Sequence, residues 1–197
     1  MTDSNSSDFL SLLNESNSIK NDDTDEIILT SPLIEIKDQC KITVPCSISS
    51  NCNTLIKCEI IEISCSSISF SNLSIEGNLL LLEANKFKID NCTIRSIKKC
   101  AEAIITINTS SDVLITNSKI IDSDYCGIIM NNNSIVKIDK TEIGNISETL
   151  LVVGNSSSLT ITNSHLHHSK SNGIYTKGIN FVKITNCTIN NTVFPLL

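Results

Sequence analysis

The stretch Ile161-Thr162-Asn163-Ser164-His165-Leu166 decides how this chain is read, because it recurs. The same frame returns as Phe70-Ser71-Asn72-Leu73-Ser74-Ile75, Ile89-Asp90-Asn91-Cys92-Thr93-Ile94, Ile115-Thr116-Asn117-Ser118-Lys119-Ile120 and Ile184-Thr185-Asn186-Cys187-Thr188-Ile189. Ile138-Asp139-Lys140-Thr141-Glu142-Ile143 keeps it with lysine in the asparagine slot. Successive slots lie 19, 26, 23, 23 and 23 residues apart. A period of this length marks a solenoid, in which each repeat is one structural unit stacked on the next.

Four rows of apolar residues keep fixed offsets from the slot. Four before it stand Ile68, Phe87, Val113, Val136, Leu159 and Val182; two before it, Phe70, Ile89, Ile115, Ile138, Ile161 and Ile184. Three after it stand Ile75, Ile94, Ile120, Ile143, Leu166 and Ile189; twelve before it, Ile60, Leu79, Ile105, Ile128, Leu151 and Ile174. All twenty-four are aliphatic or phenylalanine in a chain that is 40% apolar, so a buried face rather than composition selects them. Apolar and polar residues alternate, as in Val182-Lys183-Ile184-Thr185, which is the period of strands with one face inside. The reading is an all-β fold: a single-stranded right-handed parallel β-helix of about seven coils, with three short strands per coil. The slot asparagines follow a strand, where the chain turns, and asparagine tolerates left-handed backbone there. Stacked along the axis they would form a hydrogen-bonded ladder that Lys140 interrupts.

The frame, with Gly127-Ile128 and Gly173-Ile174 ahead of the slot, resembles the right-handed β-helix repeat of the pectin-lyase-like superfamily, in particular its carbohydrate-binding and sugar-hydrolase-type repeats. The resemblance spans about residues 32–194. It implies the fold and leaves the activity open, because this fold hosts unrelated functions. Lyases of the superfamily use calcium held by aspartates with an arginine base, and its polygalacturonases use three close aspartates. Neither set carries over to residues of this chain, whose one arginine is Arg95.

Outside the frame the signal weakens. Ile34, Ile36, Ile42 and Val44 suggest a degenerate first coil with Cys46 in its slot. Residues 27–197 are read as the β-helix domain, its last coil incomplete. Residues 193–197, with Pro195 among them, would either close the bore as a lid or begin a missing coil, and an open last rung would invite end-to-end self-association. Residues 1–26 form a separate arm with seven acidic residues and one lysine, which accounts for the whole net charge of −6. Its Ser/Asn/Asp richness predicts disorder. Phe9, Leu12 and Leu13 could line one face of a short helix capped by Ser7, covering the first rung or serving as a linear motif.

There is no apolar signal sequence and no run long enough to cross a bilayer, the longest strongly apolar one being residues 79–82. This predicts an intracellular, cytoplasmic protein without membrane contact. Nine cysteines, an odd number with no Cys-X-X-Cys pair, read as small fillers of bore and turns rather than a disulfide framework or zinc site. Acidic charge and 4% aromatics speak against nucleic acid as a partner, and Lys88, Lys137 and Lys183 as a spaced, solvated row.

Candidate chemistry is sparse. Asp122 and Asp124 in Ile121-Asp122-Ser123-Asp124 read as a solvated turn. His165, His167 and His168 are weak metal candidates; with His165 and His167 flanking the inward Leu166, both are expected to face solvent. No cofactor is implied. The outward row eleven before the slot is unusual: Ile61, Leu80, Thr106, Ile129, Val152 and Tyr175 make an apolar stripe where a solvated sheet should be polar. Ile61, Leu80, Ile129, Val152 and Tyr175 are therefore the candidate binding residues. The functional expectation is a non-catalytic recognition scaffold that takes a protein or glycan along its lateral face. The alternative is a polysaccharide-active lyase or hydrolase of the pectin-lyase-like type, or a degenerate remnant of one.

Overall fold

The computed structural model describes residues 7–8, 18–20, 26–37, 39–96, 101–109, 112–131 and 133–196. Among them every regular element is a strand, and no helix occurs. Almost all pairings are parallel, each strand meeting its equivalent one coil later, as in Val113↔Val136, Val136↔Leu159 and Leu159↔Val182. The result is a parallel β-solenoid of about seven turns. One ladder is a nine-stranded sheet that ends in Phe181–Thr185. The other two run side by side and fuse in Leu55–Ile63 and Ser74–Leu82, where one nine-residue strand serves both.

The bore is apolar, as the rows predict. Twenty of the twenty-four inward positions are buried, and Phe70 meets Phe87 in the next coil edge-to-face at 5.4 Å between centroids. Three exceptions, Val182, Ile184 and Ile189, lie on the last described rung; Ile184 is 36% exposed. The fourth is Ile60. In Leu55–Ile63 the register jumps from Lys57↔Glu76 to Ile60↔Asn78, so three residues on one strand face two on its neighbour. This bulge turns Ile60 partly outward and puts Ile61 in the core at 0% exposure.

Upstream, the degenerate coil is framed differently from the expectation. Cys46 pairs with Ile68, four before the slot, so Ser50 rather than Cys46 stands in the slot position; Ile34 continues the row of Ile56 and Ile75, and Val44 is exposed. A further rung, Glu26–Leu29, precedes it. Two segments of the acidic arm also join the sheets: Ser18–Lys20 lies antiparallel to Glu26–Leu29, and Ser7–Asp8 pairs with Gln39–Ile42. The expected helix through Phe9, Leu12 and Leu13 falls outside the described residues, while Ser7 is in a strand rather than a cap. At the other end Phe194–Leu196 pairs in parallel with Asn172–Thr176 and continues the ladder, so it does not cross the bore as a lid. Pro195 is tolerated because this is an edge strand.

The slot asparagines do hold turns. Asn72, Asn91, Asn117, Asn163 and Asn186 all have φ between 50° and 56°. They are exposed, however, and the ladder is mixed: Asn91 donates to Asn72 at 2.8 Å and Asn186 to Asn163 at 3.3 Å. Asn117 and Asn163 instead donate to Asp90 and Asp139, each at 2.8 Å. The buried ladder lies one residue later. Ser118, Thr141 and Ser164 point inward; each hydroxyl donates to a carbonyl in its own turn. Each also accepts a backbone N–H from the coil before, from Cys92 at 3.1 Å, Ser118 at 3.5 Å and Thr141 at 3.1 Å.

A hydroxyl removed from this inner ladder leaves a buried donor unpaired. Ser164→Ala is therefore expected to cost about 1–3 kcal/mol. Asn163→Ala should cost about 1 kcal/mol through the left-handed backbone it strains, and Asn163→Gly less than Asn163→Ala. Urea midpoints of the three variants check the order, and a larger loss at Asn163 than at Ser164 would contradict it.

Eight cysteines are described, all as thiols; Cys40, Cys46, Cys58, Cys92 and Cys126 fill the interior as predicted, whereas Cys52 is exposed.

Candidate ligand groove and the buried histidine

The strands Thr93–Arg95, Lys119–Ser123, Glu142–Ile146, His165–Ser169 and Thr188–Asn190 stack in register on one side of the solenoid. Five residues after the slot, near the ends of three of these strands and just past the last, Asp122, Asn145, His168 and Asn191 take left-handed backbone, with φ of 60°, 57°, 52° and 51°. All four are of the residue types enriched in this conformation. The row is tied along the axis: Asn145 Nδ2 donates to Asp122 Oδ1 at 3.1 Å, and Asn191 Nδ2 lies 3.2 Å from His168 Nε2.

Along this row runs an open polar groove. One part, of about 420 Å³, is lined by Glu76, Arg95, Asp122, Asp124, Asn145 and three serines. The next, of about 480 Å³, is lined by Asn145, Ile146, Ser147, His168, Ser169, Lys170 and Asn191. The two share Asn145 and Ser147, so they form one continuous surface. Arg95 is engaged by Glu76 of the preceding coil, and Asp122 by Asn145.

Beside the groove His167 is buried at 7% exposure, against the expectation that it faces solvent. The cause is Gly144, its partner in the preceding coil: a Cβ there would stand 2.3 Å from His167 Cε1, so the bare glycine makes room for the ring. His167 Nε2 is 3.1 Å from Glu142 Oε1, and Glu142 Oε2 is 2.7 Å from Lys119 Nζ. On its other side His167 Nδ1 is 2.7 Å from His168 Nδ1. One neutral arrangement satisfies every contact. His167 Nε2–H donates to Glu142, His168 Nδ1–H donates to His167 Nδ1, and His168 Nε2 accepts from Asn191. The Lys119 ammonium, followed by His167, holds the Glu142 carboxyl below its ordinary range, and Glu142 in turn raises Lys119.

The three histidines therefore do not converge on a common point. His165 stays exposed with its ring 4.4 Å from that of His167, and both nitrogens of His167 are spent on protein partners. Among the described residues no group of three His, Cys, Asp or Glu side chains could hold a metal ion.

The apolar stripe survives in part. Leu80, Thr106, Ile129, Val152 and Tyr175 are successive partners across the ladder. Ile61 does not belong to it: the bulge puts Ile61 in the bore and Glu62 opposite Leu80, with Lys41 beyond, 2.6 Å from Glu62. Leu80, Ile129 and Val152 are half-buried by their neighbours, and only Tyr175, at 40%, stands clear.

Residues 103–194, which carry most of the groove, match the family model described as the right handed beta helix region. Over those residues the chain is similar to this family, in keeping with the parallel β-solenoid that the whole ladder forms. No curated protein matches the chain. Within the β-helix, no helix among the described residues is long and apolar enough to cross a membrane.

The sequence pointed to Asp122 with Asp124 and to the three histidines as local groups, and gave no binding role to Glu76, Arg95, Asn145 and Asn191. The available signal was the common offset five past the slot, which carries Ser96, Asp122, Asn145, His168 and Asn191. Its residues looked scattered because stacking, not sequence proximity, brings them together.

Proposed function

We propose that the protein is a non-catalytic recognition scaffold that binds a glycan along the polar groove of its lateral face. The observation that carries this reading is the continuous row Asp122, Asn145, His168 and Asn191, held in left-handed backbone on successive coils and flanked by Arg95 and Lys170. Side-chain amides both donate and accept, which suits the hydroxyls of a saccharide, and a regular solenoid offers the same chemistry once per coil. The engagement of Asp122 by Asn145 and of Arg95 by Glu76 favours binding over acid–base work.

The test is binding to a panel of neutral and acidic polysaccharides by calorimetry. Asn145→Ala, at the junction of both parts of the groove, should weaken the best ligand at least about tenfold, on the order of 1.4 kcal/mol. Tyr175→Ala, on the apolar stripe, should leave it unchanged. Loss with Tyr175→Ala instead would move the site to the stripe Leu80, Ile129, Val152 and Tyr175, and to a protein partner. A second reading, a polysaccharide-active enzyme or its remnant, is favoured by Asp122, Asp124 and His168 facing one groove. Release of reducing ends by the wild-type protein, with or without calcium, would replace the scaffold reading with that one.

A further inference from the structure

Among the described residues, the two most closely approached thiols lie far from the groove, in the first coils. Cys40, on the strand Gln39–Ile42, and Cys58, in the bulge of Leu55–Ile63, have their sulfurs 3.4 Å apart across neighbouring coils, both buried. Both also reach the Ile60 carbonyl, Cys58 Sγ at 3.3 Å and Cys40 Sγ at 3.8 Å, so the bulge itself steers the two side chains together. Regular alternation from Ile56 carries Cys58 inward, and the extra residue that follows brings the Ile60 carbonyl beside both sulfurs. Around the pair, Ser50 and Thr54 stand in for the slot asparagine and the inner ladder, Thr54 donating to the Ser31 carbonyl of the coil before.

We propose that Cys40 and Cys58 form a reversible redox staple, closing to a disulfide that locks the first coils together. The oxidant is a small-molecule disulfide. A thiolate of the pair attacks one of its sulfurs, forming a mixed disulfide and expelling the first small thiolate. The second cysteine then attacks the protein sulfur, expelling the second thiolate. Two protein thiols lose two electrons and two protons, and one disulfide becomes two thiols. The hydrogen bond between the two sulfurs favours the thiolate on Cys58, holding its pKa down and that of Cys40 up. Closure joins residues 18 apart and restricts the unfolded chain accordingly. It also fixes the strand on which Ser7–Asp8 docks, since Ser7 pairs with Cys40 itself.

The experiment equilibrates the full chain with mixtures of oxidised and reduced glutathione. One arm starts from the folded protein and the other from reduced, urea-unfolded chain refolding in the same mixtures, so that burial cannot hide the pair. Peptide mapping should find a Cys40–Cys58 crosslink in both arms. The thermal midpoint should rise by several degrees with its formation and fall back on reduction. Cys40→Ala, tested for an unchanged β-sheet circular dichroism spectrum, should lose that rise. Cys40 and Cys58 remaining as thiols in both arms, with oxidation confined to the exposed Cys52 or to another pairing, would overturn the proposal. So would a crosslink that leaves the midpoint unmoved.

Discussion

Gly77→Ala is expected to prevent the chain from forming a stable solenoid. Gly77 lies in the strand Ser74–Leu82, directly across from the bulge, and a Cβ on it would stand 1.7 Å from the Cys58 carbonyl oxygen and 2.9 Å from its carbon. Those are backbone atoms fixed in a parallel ladder, so no side chain can swing away to relieve the overlap. Strain of this kind belongs among the largest single-residue effects, above about 4 kcal/mol, out of a total stability of about 5–15 kcal/mol for a domain. The measurement is the urea midpoint or, failing soluble protein, recovery from refolding. Gly144→Ala is the contrasting case. Its Cβ would meet only the His167 ring, which can turn outward, so the fold should survive with His167 released from Glu142. Equal losses at the two glycines would show that the bulge is not the rigid element.

The second large effect is expected from a charge in the bore. Ile161 is fully buried between Ile138 and Ile184 in the ladder. An aspartate there has no partner, and either the buried charge or the forced protonation should cost several kcal/mol, about 4 or more. The same substitution one rung later, Ile184→Asp, should cost about 1 kcal/mol, because Ile184 already meets solvent on the terminal rung. Chemical denaturation of both variants tests this directly. A similar penalty at both sites would mean that the last rung is covered in solution.

How far the fold could be read from residues alone depends on where the repeat stays regular. From Asn72 onward the slot fixes the phase, and inward rows such as Val113, Val136 and Leu159 are buried as predicted. Before Asn72 the phase is lost for two physical reasons. Ser50 can occupy the slot because its hydroxyl receives the Cys52 and Thr54 amides at 3.1 and 2.9 Å, doing by side chain what asparagine does elsewhere. The bulge after Lys57 then adds one residue, and a single insertion inverts inside and outside, which is why Ile60 and Ile61 exchanged roles. A period-two pattern contains no mark of such an insertion, for isoleucine occupies both positions.

The groove was legible only as a column. Asp122 and Asp124 are two residues apart in sequence and look like a pair, yet the partner that Asp122 bonds is Asn145, one coil on. Glu76 and Arg95, which close one end, are 19 residues apart, a spacing shared with the irregular early coils. His167 was misjudged for a simpler reason. Alternation gives the direction of a side chain but not what stands beside it, and the missing Cβ of Gly144 makes an outward position a buried one.

The three coils between Asn117 and Asn186 have identical lengths, and every pairing within them steps by the same 23 residues, from Ile120↔Ile143 through Ile143↔Leu166 to Leu166↔Ile189. A unit that meets its neighbours in the same way on both sides can be removed or copied without altering any surviving contact. Length in this molecule is therefore a quantised variable: each unit gained or lost changes the reach of the lateral faces by one strand spacing, about 4.8 Å, and leaves their cross-section alone. Change by recombination thus has a coarse, whole-coil step available to it here. The bulged N-terminal coils, out of phase with that step, are the fixed end from which such a series would count.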